Sequence, residues 1–151
     1  MMKMMRRKLV RTWLVVGCLG LLLSTLSAQQ TNPPTRRIPD GKGEVSVSLA
    51  SNTIKVFTYR PKNYSATRGP LVVVFHGHSR NPDKYRDHAM ELGNKCAGLV
   101  VAPFFDEKQF PGQTYNHGKL FVDGVLQPRE KWTFSLVPQL IQRIRTMEGR
   151  S

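Results

Sequence analysis

Two short apolar runs set the strongest constraint on the fold. Leu71-Val72-Val73-Val74-Phe75 and Leu99-Val100-Val101-Ala102 contain no polar residue and do not alternate. A strand with one face in water alternates, whereas an unbroken apolar run suits a sheet covered on both faces, as in parallel α/β sheets. Between the runs, Asn81-Pro82-Asp83 reads as a helix entry, with Asp83 placed to cap it. Tyr85, His88, Ala89 and Leu92 then recur at helical spacing, which predicts a helix over Lys84 to Cys96, closed by Gly98. Strand, helix and strand in this order imply a right-handed crossover and two adjacent parallel strands. The expected class is α/β.

Upstream, Val45, Val47 and Leu49 alternate with serines, and Ile54 to Tyr59 comes after a Ser51-Asn52 turn; together they predict an antiparallel hairpin. Residues 29–43 carry Asn32-Pro33-Pro34, Pro39, Gly41 and Gly43 with little to bury, and read as a flexible linker. Before them lie a basic leader (Lys3, Arg6, Arg7, Lys8, Arg11), an apolar run from Trp13 to Leu26, and small residues at Ser27 and Ala28. That order is the pattern of a secretory signal peptide over residues 1–28. The run has 14 residues, short of the roughly 20 that a spanning helix needs. Export, to the periplasm or the medium, is the expectation; an uncleaved membrane anchor is the alternative. The folded domain is expected over residues 44–151.

The leader holds five of the 23 basic residues and none of the ten acidic ones, so its removal lowers the net charge from +13 to +8. The remaining cations stand singly or in pairs, as at Arg36-Arg37, without the dense run a nucleic-acid site would show. No nucleic-acid partner is expected; a basic surface meeting other polyanions is the alternative. Past residue 28 only Cys96 remains, late in the predicted helix, and a packed, inert thiol is expected there.

After Ala102, residues 103–134 read as a surface excursion. It includes a small hairpin, Lys119 to Val122 against Val125-Leu126, built on Asp123-Gly124. Asp106, Glu107, Asp123 and Glu130 are expected to be solvated loop charges, and Tyr115 to Gly118 and Trp132 to pack as loop residues near the mouth of any pocket. A last helix comes next, with Ser135 as its cap, Pro138 in its first turn, and Leu136, Leu140, Ile141, Ile144 and Met147 as its apolar stripe.

The chemistry-bearing element is Phe75-His76-Gly77-His78, at the carboxyl end of the third strand, where open α/β sheets bind their ligands. A metal site would need His76 and His78 with Asp83 or His117, but Gly77 breaks the strand that would align the two histidines; neither metal nor cofactor is expected. The ordered series of hairpin, buried strand ending in His-Gly, helix, buried strand and helix resembles the first half of an α/β-hydrolase. More narrowly, Arg60-Pro61-Lys62-Asn63-Tyr64 ahead of that strand, and Ala102-Pro103 leading to Phe110-Pro111, resemble secreted esterases related to polyhydroxybutyrate depolymerases and feruloyl esterases.

The resemblance implies a partial α/β-hydrolase fold with an incomplete sheet. It also implies an oxyanion hole that uses the backbone amide of His78, with Gly77 and His76 shaping the turn. The substrate would be a small or polymeric ester. The nucleophile in this family sits in Gly-x-Ser-x-Gly, with an acid and a histidine later in the chain. No such motif occurs among the 151 residues: Ser79 follows Gly77 but has Asn81 in place of the second glycine, and neither Ser135 nor Ser151 stands between two such glycines. The expectation is therefore an N-terminal fragment of an exported serine esterase, inactive by itself, with the triad beyond Ser151. The alternative is an inactive relative that keeps the scaffold for binding.

Overall fold

The computed structural model describes residues 37–50 and 52–150. The segment expected to be a signal peptide, residues 1–28, lies outside them. Among the described residues no helix is long and apolar enough to cross a membrane.

The hairpin forms as expected and is longer at both ends. Strand β1 (Gly41–Leu49) pairs antiparallel with β2 (Asn52–Arg60), with Val45 opposite Val56 and Leu49 opposite Asn52. Period-two alternation buries Val45, Val47 and Leu49 of β1 and Ile54 and Val56 of β2 on one face. The strand begins inside the segment expected to be a linker over 29–43, and Ile38 is buried in the core. Proline and glycine content concealed this, because the ordering comes from one apolar residue and from pairing with β2.

The next strands are β3 (Leu71–Val73) and β4 (Leu99–Phe104), which run parallel with Leu71 opposite Leu99 and Val73 opposite Val101. The sheet order is β1-β2-β4-β3, with β2 antiparallel to β4. The central β4 matches its apolar sequence, for Leu99, Val100, Val101 and Ala102 are all buried. The other run behaves differently. Only 71–73 form a regular strand, one further ladder bond runs from Val74 N to Val101 O (2.9 Å), and the strand is half-buried. Among the described residues it lies at the edge of the sheet, and an apolar run alone cannot show strand order.

The crossover is two short helices, α1 (Pro82–His88) and α2 (Met90–Cys96), instead of the single helix expected. Asn81, not Asp83, holds the N-cap position; Asp83 sits in the first turn, where its charge suits the helix dipole. Left-handed Ala97 (φ 50°) ends α2, and the Gly98 amide bonds back to Gly93 O at 2.9 Å. Cys96 is exposed, against the expected packed thiol; it is the last residue of α2, and its thiol reaches only the Gly93 carbonyl, at 3.9 Å.

Gly93 allows α2 to approach β4 closely. A Cβ there would lie 2.8 Å from Val100 Cγ2 and 3.1 Å from the Gly98 carbonyl oxygen. Alanine would gain about 1 kcal/mol of helix propensity but would incur an overpacking cost of about 1–3 kcal/mol. Gly93→Ala is thus expected to lower the urea midpoint, and a raised midpoint would refute the close-approach argument.

Beyond β4 come α3 (Gly112–Asn116), a small hairpin of β5 (Phe121–Val122) and β6 (Val125–Leu126), two single 3₁₀ turns, and α4 (Leu136–Met147). Asp123 (φ 50°) and Gly124 (φ 77°) make the expected two-residue turn. Leu136, Leu140 and Ile144 of α4 are buried with the inner face of β1 and β2, each contributing about 1.5–3 kcal/mol through apolar burial. Ser135 does not cap α4; its hydroxyl donates to Trp132 O at 2.7 Å. The segment 103–134 is not wholly superficial either, because Phe105, Phe110 and Tyr115 belong to the core.

Candidate functional site

Strand β3 delivers His76, Gly77 and His78 to its carboxyl end, and the chain reverses through Ser79 and Arg80. Arg80 is left-handed (φ 50°), and its amide donates to Gly77 O at 3.2 Å. His78 and Ser79 are exposed, whereas His76 is buried. Among the described residues the amide of His78 donates to no group. The resemblance assigns the oxyanion bond to this amide.

The turn is fixed chiefly by His76. Its Nε2 lies 3.1 Å from the Phe105 amide, which can only donate, so Nε2 carries a lone pair. The proton of the neutral ring is therefore on Nδ1, which donates to Gly77 O at 2.9 Å. Burial pushes the His76 pKa below its ordinary value of 6.5; the bond to the Gly77 carbonyl opposes this and the Arg80 cation reinforces it. With both ring nitrogens engaged, the neutral His76 supports the turn and is placed neither as a general base toward a substrate nor as a metal ligand.

Two residues outside the expected set complete the support. The Tyr115 hydroxyl donates to His76 O at 2.5 Å, and its ring stacks on the imidazole with centroids 4.7 Å apart. The Arg80 guanidinium lies over the Tyr115 ring at 4.4 Å and donates to the carbonyls of Phe105 and of Phe110, the latter at 2.9 Å. Burial raises the Tyr115 pKa, opposed by the Arg80 cation, so Tyr115 keeps its proton and remains a donor. The sequence places Tyr115 only as loop packing and gives Arg80 no role. Their partners are main-chain oxygens, which leave no mark in a sequence; the only cue is an arginine three residues after Gly77.

A Cβ on Gly77 would lie 2.8 Å from the Tyr85 hydroxyl oxygen. Glycine thus lets α1 bring the Tyr85 hydroxyl over the turn. Phe75 (39% exposed) and Phe134 (41% exposed) meet edge to face, with ring centroids 6.2 Å apart. Phe121, Val122, Val125 and Leu126 of the small hairpin are exposed as well.

The remaining candidates fall away from the turn. His117 is exposed at the end of α3, Asp83 lies in α1, and no group of three or more His, Cys, Asp or Glu side chains that could hold a metal occurs among the described residues. Asp106 accepts the amides of Lys108 (3.0 Å) and Gln109 (3.1 Å) and shapes its own loop. Trp132 donates to Gln127 O at 2.8 Å, tying the small hairpin to the body.

A mixed sheet in the order β1-β2-β4-β3, helices packed on it, and a His-Gly turn at the end of β3 constitute part of an α/β-hydrolase fold. Two solved structures share it. One is LpqC, a poly(3-hydroxybutyrate) depolymerase from Bordetella parapertussis, 32% identical with a TM-score of 0.65 over 74% of this chain. The other is poly(aspartic acid) hydrolase-1 from Sphingomonas sp. KT-1, 28% identical with a TM-score of 0.67 over 75% of this chain. The match spans 40% of the first and 44% of the second. No family model matches the sequence, and the comparison with curated proteins gave no match.

Proposed function

We propose that these residues form the N-terminal part of an exported serine hydrolase that cleaves carboxylic esters, with the His78 amide as an oxyanion donor. The observation that carries this reading is the unengaged His78 N–H at the carboxyl end of β3, on a turn fixed from both sides by His76, Arg80 and Tyr115. An amide held in advance where negative charge develops contributes about 10²–10³ in rate. Nucleophile, acid and base come from outside the 151 residues, in keeping with the missing Gly-x-Ser-x-Gly. Export rests on the leader over residues 1–28. The exposed rings of Phe75 and Phe134 favour an apolar ester, of the kind the poly(3-hydroxybutyrate) depolymerase acts on, over an anionic polymer.

Losing the nucleophile of a serine triad costs about a millionfold in turnover, so the 151-residue chain is expected to show no hydrolysis of a short-chain nitrophenyl ester above background. Turnover by that chain would overturn the assignment of the nucleophile. Reading the gene past the codon for Ser151 supplies the second test. An apolar strand leading into Gly-x-Ser-x-Gly supports the enzyme, and a stop codon there favours the inactive scaffold.

A further inference from the structure

We propose that His76 is a pH-sensitive latch on the oxyanion turn: neutral, it holds the loop at Phe105 to the turn at Gly77, and protonation at Nε2 releases that loop. The inference rests on the turn being the oxyanion site. As a neutral ring, His76 accepts the Phe105 amide at Nε2 (3.1 Å) and donates from Nδ1 to Gly77 O (2.9 Å). A proton taken from water by Nε2 uses the lone pair that accepts the Phe105 amide. Two N–H groups then face each other, and that bond is lost, while the Nδ1 bond to Gly77 O survives. The latch therefore opens on the side of the 105–110 loop.

The groups facing the ring bias it against the proton. Arg80, from the turn, is a fixed cation and is itself bonded to the carbonyls of Phe105 and Phe110. Tyr115, from α3, stacks on the ring and stays protonated. From α1, Tyr85 brings its hydroxyl over Gly77. The aromatic rings of Phe104 and Phe105, from the end of β4, complete the enclosure. Among the described residues no carboxylate pairs with the ring to stabilise an imidazolium. An added charge is thus repelled by Arg80, which is bonded to the loop that the lost bond would disturb. Because the folded protein prefers the neutral ring, the unfolded chain binds the proton more readily. The contribution of the latch is fully present above about 6.5, the ordinary imidazole pKa, and is lost as pH falls through the lower folded value.

The test uses the 151-residue chain and needs no ester. Nitrogen NMR of the imidazoles reads the His76 tautomer and its titration, and amide exchange of Phe105, corrected for intrinsic rates, reads the latch. Between about pH 7.5 and about pH 5, Phe105 protection is expected to fall at least about tenfold, in step with the His76 midpoint. His76→Gln, whose amide oxygen can accept the same N–H without titrating, is expected to show protection independent of pH. If that variant does not fold, the wild-type coincidence of the two midpoints decides. Phe105 protection that is unchanged after His76 has titrated overturns the latch, as does a His76 that stays neutral throughout the range or carries its neutral proton on Nε2. A negative esterase assay leaves this outcome untouched, and flat Phe105 protection leaves the hydrolase reading untouched.

Discussion

Replacing Phe105 with alanine is expected to lower stability by about 3–5 kcal/mol, a large share of the roughly 5–15 kcal/mol typical of a whole domain. The ring is completely buried at the point where β4 gives way to the loop. It meets Phe110 edge-on at 4.9 Å, lies 5.4 Å from Tyr115 and stacks on Phe75 at 6.3 Å. Truncation leaves a cavity lined by aromatic rings, which are too rigid to collapse into it. The backbone amide that reaches His76 is still present in the variant, but the loop presenting it has lost its anchor. Urea unfolding monitored by Trp132 fluorescence measures the loss. Phe105→Leu should keep most of the stability, since it retains most of the volume, and a loss under about 1 kcal/mol for alanine would contradict the packing described.

Glu148→Ala is the second large effect. The guanidinium of Arg60, only 5% exposed, pairs with the fully buried carboxylate of Glu148. Removing one member of a buried pair leaves an uncompensated charge, at a cost of about 3–5 kcal/mol. Two features place this variant at the lower end of that range. Asp40 lies 3.4 Å from Arg60 Nε, and the guanidinium also rests on the Tyr64 ring at 5.1 Å. The double variant Arg60→Met/Glu148→Leu, which removes both charges and keeps the volume, is expected to recover most of the loss. A double-mutant cycle by chemical denaturation therefore gives a large coupling energy. If Glu148→Ala were as stable as the parent, the pair could not be buried as described.

The sheet was legible because its signals are local. Alternation at Val45, Val47 and Leu49 gave the hairpin, and the unbroken run 99–102 gave the central strand. Strand order is a property of the assembled sheet, so nothing within Leu71–Val73 reveals that β4 alone pairs with it among the described residues. Burial of Ile38 and exposure of Cys96 were missed for related reasons: each depends on which way one side chain faces once neighbouring elements have packed. The His-Gly turn was legible as a motif, and with it the place of the His78 amide. Its supports were not. Arg80 and Tyr115 reach carbonyl oxygens, which every residue has, and Tyr115 joins the turn across 39 residues of sequence. A segment between two regular elements reads as an excursion until its aromatic residues are seen to enter the core.

The suspension of the turn bears on how the protein moves. Beyond Val74 the backbone has left β4, and the turn hangs from His76, Arg80 and Tyr115, all tied to the stretch between Phe105 and α3. Among the described residues β3 is bound along one side, and a short strand so bound is among the first elements to open in native-state fluctuations. Here such opening need not distort the His78 amide, which takes its aim from the loop. The strand can breathe like a door on its hinge while the keyhole stays in the frame.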